Sequence, residues 1–288
     1  MSQAKETHFL ALICRIHDEH FMMKTFVPYY LSQGVDMIYL IDDASTKPYD
    51  EIINNPKVKF ITSPLKRNPD QMGEATKLYS EIKNTYEWVI FIDADEFIYT
   101  KGEDTTIRSM LLNEFKDADC LYVPWVFFSF NNRQFDGNDI IDDYTFRWNH
   151  DKKHPHPNND HKNRCRYDNI ESKTIFKSSK FKSMINPHFP SYPIGSNINY
   201  RESVNNTPHT NMMFNNFREN DISNGLMLCN HYRFSSIDKI KQKCNINSFN
   251  MYKNVSVENC ILSDYPEVLD ETLKIKWNGL KKQIESLN

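Results

Sequence analysis

Glycine is scarce in this chain, with seven among 288 residues, and none stands in the segment Cys14-Arg15-Ile16-His17-Asp18 that follows the first apolar run. A loop that cradles a triphosphate at a helix start is normally glycine-rich, so a nucleotidyltransferase that makes nucleotide sugars is disfavoured. Cysteine pairs of C-x-x-C spacing are missing as well. Cys14, Cys120, Cys165, Cys229, Cys244 and Cys260 are scattered, and Cys14 and Cys120 lie in apolar runs. That pattern fits free thiols in a reduced compartment, acting as small hydrophobes. There is no excess of positive charge: the net charge is −3 and the pI about 6.4, which gives no footprint for nucleic acid. No apolar stretch approaches the ~20 residues of a membrane span, and residues 1–7 are polar with no signal-peptide pattern. The expectation is a soluble, cytoplasmic protein of open oligomeric state, brought to any membrane by something else. Repeats and Pro- or Ser-rich linkers are missing too, which predicts one domain over 1–288.

What is present supports a sizeable core, with 39% hydrophobic and 13% aromatic residues. Apolar runs at 9–14, 35–41, 58–62 and 88–92 read as strands, and 17–32 and 73–86 as amphipathic helices, with Gly34 as a helix stop. Strands alternating with helices imply βαβ units, so the fold class is α/β with a mostly parallel central sheet flanked by helices. Further on, 104–115 reads as a helix and 120–130, 171–181, 184–189 and 226–234 as strands. Residues 131–161 and 191–225 look irregular, and 237–249 and 266–287 read as C-terminal helices.

The informative segment is Trp88-Val89-Ile90-Phe91-Ile92-Asp93-Ala94-Asp95-Glu96. A strand apolar on both faces ends in three acids, where open α/β sheets bind their ligands. Carboxylates so close repel one another unless a cation or hydrogen-bond donors neutralise them. A hard divalent ion fits, and such ions commonly accompany phosphates. The second strand ends in Asp42-Asp43-Ala44-Ser45. Alone, that pair reads as a turn or helix cap. Beside Asp93 and Asp95 it becomes a second acidic tip facing the same crevice.

These segments resemble inverting glycosyltransferases of the GT-A (Rossmann-like) fold, of the family-92 and family-2-like group. The resemblance rests on 10–19, on 29–46 with its Gly34-Val35 strand, and on Phe91-Ile92-Asp93-Ala94-Asp95-Glu96-Phe97-Ile98. Ser172-Lys173-Thr174-Ile175-Phe176 and Asn230-His231-Tyr232-Arg233 follow in the expected order. The resemblance implies a nucleotide-binding half at 8–125, an acceptor-side half at 126–235 and C-terminal helices at 236–288. It implies transfer of a sugar from a nucleotide sugar, UDP-linked, to a glycan or other hydroxyl acceptor, assisted by Mn²⁺ or Mg²⁺. Asp95 becomes the principal metal ligand, Asp93 is shared between metal and ribose, and His231 or His188 supplies an imidazole. Asp42, Asp43, Cys14 and Arg15 fall to the nucleoside, and Lys173 and Arg233 to the diphosphate. A structural His231 and a solvated Lys173 remain alternatives.

An inverting transferase needs a general base for the acceptor hydroxyl. Asp136 and Glu171 are the first candidates, with Asp168 behind them, and Glu96 is assigned to orienting the acidic motif. The cluster His150, His154, His156, His161 and Cys165 lacks a zinc-ligand spacing and reads as an exposed loop. A non-catalytic carbohydrate-binding protein of the same fold is the rival from another class.

Overall fold

The central apolar runs form a sheet because they are covered on both sides, whereas the edge run at 58–62 stays largely open. In the computed structural model, which describes residues 8–63, 72–152, 170–210, 214–215, 217–245 and 256–287, the chain begins with β1 (His8–Ile16), α1 (His20–Ser32), β2 (Met37–Asp42), β3 (Val58–Thr62) and α2 (Gly73–Ile82). There follow β4 (Tyr86–Asp93), β5 (Glu96–Thr100), α3 (Ile107–Leu112), β6 (Cys120–Phe127), β7 (Phe146–Arg147) and β8 (Ile170–Lys177). The short strands β9 (Phe181–Ser183), β10 (Ser191–Pro193), β11 (Tyr200–Glu202) and β12 (Phe214–Asn215) lead to α4 (Glu219–Asn224) and β13 (Met227–His231). The chain closes with α5 (Ile237–Asn245), α6 (Val257–Leu262), β14 (Val268–Leu269) and α7 (Thr272–Leu287).

Alternate residues of β1 feed two apolar clusters. Leu10, Leu12 and Cys14 meet Phe26, Tyr29 and Tyr30 of α1, while Ala11 and Ile13 share the other cluster with Ala75, Leu78 and Tyr79 of α2. The main sheet runs β3-β2-β1-β4-β8-β6-β13-β5. The first four strands are parallel, as expected. The rest corrects the expectation of a mostly parallel sheet: β8 lies antiparallel between β4 and β6, and β5 pairs antiparallel with β13. The cause lies in the chain itself. Only the turn residues Ala94 and Asp95 separate β4, mid-sheet, from β5 at its far end. Three peptide steps span about 11 Å at most, so the sheet must curl until its end returns to its middle.

The curl gathers one edge. Arg15 stands beside Asp93, Ile16 beside Asp42, and His231 beside both Glu96 and Phe127. Local differences from the sequence reading follow from the same edge. Helix α1 begins at His20 rather than at 17, because Asp18 takes a left-handed backbone (φ 53°) and accepts hydrogen bonds from the N–H and hydroxyl of Thr46. Residues 184–189 are not a strand, and 191–225 carries short strands and α4.

Candidate active site

At this gathered edge lies a cleft of about 770 Å³, within the range of small-molecule sites. Two ends of it are built differently. On the β1–β2 side the Arg15 guanidinium donates to Asp43 Oδ2 at 2.7 Å, and His17 Nδ1 donates to the Asp43 carbonyl at 2.8 Å. Both Arg15 and Asp43 line the cleft. Asp42, one residue earlier, turns into the loop instead, where its Oδ1 accepts from the Ser45 N–H at 2.9 Å. Cys14 is fully buried within β1, and burial, aided by the nearby acids, pushes its thiol well above the usual range.

The other end is acidic. Asp95, Glu96 and His231 each offer a ligand atom within 4.8 Å of the others. Asp95 Oδ1 lies 3.7 Å from His231 Nε2, and Asp95 Oδ2 lies 3.2 Å from Lys243 Nζ. Burial, reinforced by Arg233, holds the His231 pKa well below its ordinary value, so the ring is neutral at pH 7 and has a lone pair to offer. Trp125 and Phe127 wall that ring, with Trp125 at 4.3 Å between centroids.

Beneath lies an ion cluster in which Lys173 and Glu96 are buried and Asp93 is half exposed. Lys173, with no exposed side-chain surface, donates to Asp93 Oδ2 at 2.6 Å and lies 3.4 Å from Glu96 Oε2. Burial alone would strip its proton; Asp93 and Glu96 outweigh that, and its pKa is raised. Burial also raises the Glu96 carboxyl well above the ordinary carboxylate range, with Asp93 and Asp95 adding to it and Lys173 opposing. Glu96 Oε1 and His231 Nδ1 are buried and have no hydrogen-bond partner among the described residues.

The cleft therefore brings together Arg15, Asp43, Asp93, Asp95, Glu171, His188, His231 and Arg233 from the sequence-predicted set. His188 Nδ1 meets the Ser172 carbonyl at 3.0 Å. Lys173 stands behind the acids rather than in the cleft wall. Asp136 lies away from the cleft: its Oδ1 accepts from the hydroxyls of Ser235 and Ser236 at 2.6 and 2.7 Å, just ahead of α5. Asp168 and His154, His156, His161 and Cys165 lie outside the described residues, whereas His150 is buried and its N–H donates to Glu219 Oε1. Sequence reasoning did not select Trp125, Lys239, Gln242 or Lys243, all of which line the cleft. The last three carried a signal, since their i, i+3, i+4 spacing puts them on one face of a helix.

No curated protein matches the chain. Among solved structures, the manganese complex of Rv0371C from Mycobacterium tuberculosis H37Rv aligns at 7% identity over 41% of this chain and 66% of that one, with a TM-score of 0.28. A family model described as glycosyltransferase family 92 matches residues 70–287, a span that includes the acidic motif, β8, β13 and α5. On that match over most of its length, the chain belongs to glycosyltransferase family 92 and is a glycosyltransferase.

Proposed function

We propose that this enzyme is of the GT-A type and moves a sugar, with inversion, from a UDP-linked donor to a hydroxyl acceptor with the help of Mn²⁺ or Mg²⁺. The observation that carries the reading is the convergence of Asp95, Glu96 and His231, with Asp95 and His231 lining the cleft and Glu96 buried behind them. Carboxylate oxygens and a neutral imidazole suit a borderline-hard dication. The buried Glu96 Oε1, which has no hydrogen-bond partner among the described residues, fits that assignment, because orphaned polar atoms are costly. When bound, the ion offsets charge on the departing diphosphate. Glu96 thus joins the ligand set beside Asp95 and His231, with Asp93 directed to the ribose and His188 a reserve imidazole.

The remaining roles belong to the chain's own groups. Arg15 fixes Asp43 so that its carboxylate can accept from the base, and Arg233 faces the diphosphate. Lys173 neutralises the acids from behind. Glu171 is the base that takes the acceptor's proton, because it lines the cleft while Asp136 is taken up by two serines. Asp136 then serves to anchor α5.

Calorimetric titration of UDP with and without Mn²⁺ tests this, together with turnover on a panel of UDP-sugars. The wild type should bind UDP in a metal-dependent manner, and Asp95→Ala should lose that binding while staying folded. Glu171→Gln should bind UDP normally yet lose about 10²–10⁴-fold in turnover, the usual worth of a general base. UDP binding indifferent to EDTA, or an active Asp95→Ala variant, would refute the metal assignment.

A further inference from the structure

The acidic end of the cleft carries a lysine that none of these roles uses. Helix α5 turns Lys239, Gln242 and Lys243 toward the cleft. The two lysines are held differently. Lys239 is tied to Glu19 Oε2 and to the Asp18 carbonyl, each at 3.0 Å. Lys243 sits on the acid that a metal needs: its Nζ is 3.2 Å from Asp95 Oδ2 and 3.1 Å from the Arg233 carbonyl. Lys173 is fully buried on Asp93 and Glu96 and has nowhere to go, whereas the Lys243 side chain keeps 20% of its exposure.

A dication on Asp95 and an ammonium beside the same carboxylate repel each other strongly at such range. An anion placed between them attracts both. On the donor-binding reading above, on which this inference rests, the diphosphate is that anion. We propose that Lys243 leaves Asp95 for the donor's diphosphate when the metal binds, and so couples metal binding to nucleotide binding. Without a diphosphate the ammonium competes with the metal for Asp95 Oδ2. With one, it swings to a phosphate oxygen and forms a charge-assisted hydrogen bond. The side chain that opposes the metal alone thus favours the metal–nucleotide pair.

The coupling is measurable without turnover. Mn²⁺ affinity is read by electron paramagnetic resonance, alone and with saturating UDP or UMP, and by linkage the factor found for one ligand applies to the other. In Lys243→Met and Lys243→Gln, Mn²⁺ alone should bind roughly threefold to fivefold tighter, the worth of a partly exposed ion pair. The factor by which UDP tightens Mn²⁺ should fall about tenfold, as for loss of one charge-assisted bond. The UMP factor should change far less. Lys243→Arg should keep most of the UDP coupling. Lys241→Met removes the same charge from the exposed Lys241–Asp238 pair of α5 and should change nothing. Coupling in Lys243→Met within twofold of the wild type, or an equal loss in Lys241→Met, overturns the exchange while leaving the donor reading intact. A wild type that binds no UDP with or without Mn²⁺ overturns the donor reading and the exchange together.

Discussion

A lysine with no exposed surface is rare unless its charge is matched. Lys173 meets that condition through Asp93 and Glu96. It sits in the middle of Glu171-Ser172-Lys173-Thr174-Ile175-Phe176, a central strand, and that position is itself the signal that its ammonium is spent inside the protein. Sequence reading found the residue and sent it to a phosphate, because from the sequence an acid cluster and a phosphate are equally good partners. Removing it tests the distinction. Lys173→Met leaves two acids facing each other, which should cost about 3–5 kcal/mol of unfolding free energy, the usual result of breaking a buried pair. A dication on the same cluster replaces part of the lost charge, so Mn²⁺ should raise the melting temperature of Lys173→Met more than that of the wild type. Urea denaturation and thermal melting with and without Mn²⁺ give both numbers. An equal Mn²⁺ response in the two proteins would place the metal elsewhere.

At the scale of elements, β5 is an edge strand that presents Glu96. Its inner side pairs with β13, and its outer side is closed by side chains of α1. The Tyr30 hydroxyl accepts from the Ile98 N–H and donates to the Glu96 carbonyl, each at 3.0 Å, and the Tyr29 hydroxyl donates to the Ile98 carbonyl at 2.7 Å. These bonds satisfy backbone groups that an open edge would expose and hold Glu96 against the acid cluster. Tyr30→Phe keeps the ring and leaves both backbone groups unpaired, so about 2 kcal/mol should be lost, and Mn²⁺ affinity should fall with it as Glu96 loosens. Unchanged Mn²⁺ binding in a destabilised Tyr30→Phe would mean that Glu96 is placed by the β13 pairing alone. Strands β1 to β4, helix α1 and its stop at Gly34 are legible in the sequence, because their apolar period is intact and Gly34 takes the left-handed φ of 86°. Strand β5 is not, because Asp93, Asp95 and Glu96 read as the acidic tip that ends β4, which leaves only the short run Phe97-Ile98-Tyr99 behind the turn Ala94-Asp95. Helix α5 is legible as a helix, yet its polar face reads as solvated, since nothing local says that a curled sheet will bring Asp95 to it.

Over the whole molecule, the same curl decides which acids are free for chemistry and which hold the chain together. The sequence shows that acids crowd the ends of β2 and β4; which ones meet His231 depends on a return of the sheet that no local pattern encodes. Asp264 illustrates the structural kind. Its Oδ2 accepts from the Ser129 hydroxyl at 2.6 Å and from the Asn131 N–H at 3.0 Å, joining the C-terminal segment to the end of β6. Burial raises its pKa to about 6, against the pull of those hydrogen bonds. An acid whose folded pKa lies above its unfolded value binds a proton on folding, so its contribution to stability is full below about pH 4 and declines as pH rises to about 6. Two units correspond to roughly 3 kcal/mol. His231 has the opposite sign. Its folded pKa is depressed by burial, so its contribution is complete above about pH 6.5 and is lost as pH falls below that value. The two trends oppose each other between pH 4 and 6.5, and a wild-type profile alone would hide both. Asp264→Asn keeps an acceptor for Ser129 and Asn131 without a titrating charge. Its stability relative to the wild type, from urea denaturation, should therefore rise by up to about 3 kcal/mol between pH 4 and pH 7. With the Asp264 trend removed, His231, whose contribution rises with pH to about 6.5, is set against the raised carboxyl of Glu96, which pulls the other way. Mn²⁺ should tilt the slope upward, because the metal binds the neutral ring of His231 and the charged form of Glu96. A flat difference between the two proteins would mean that Asp264 is charged at no cost and that the junction is open to water.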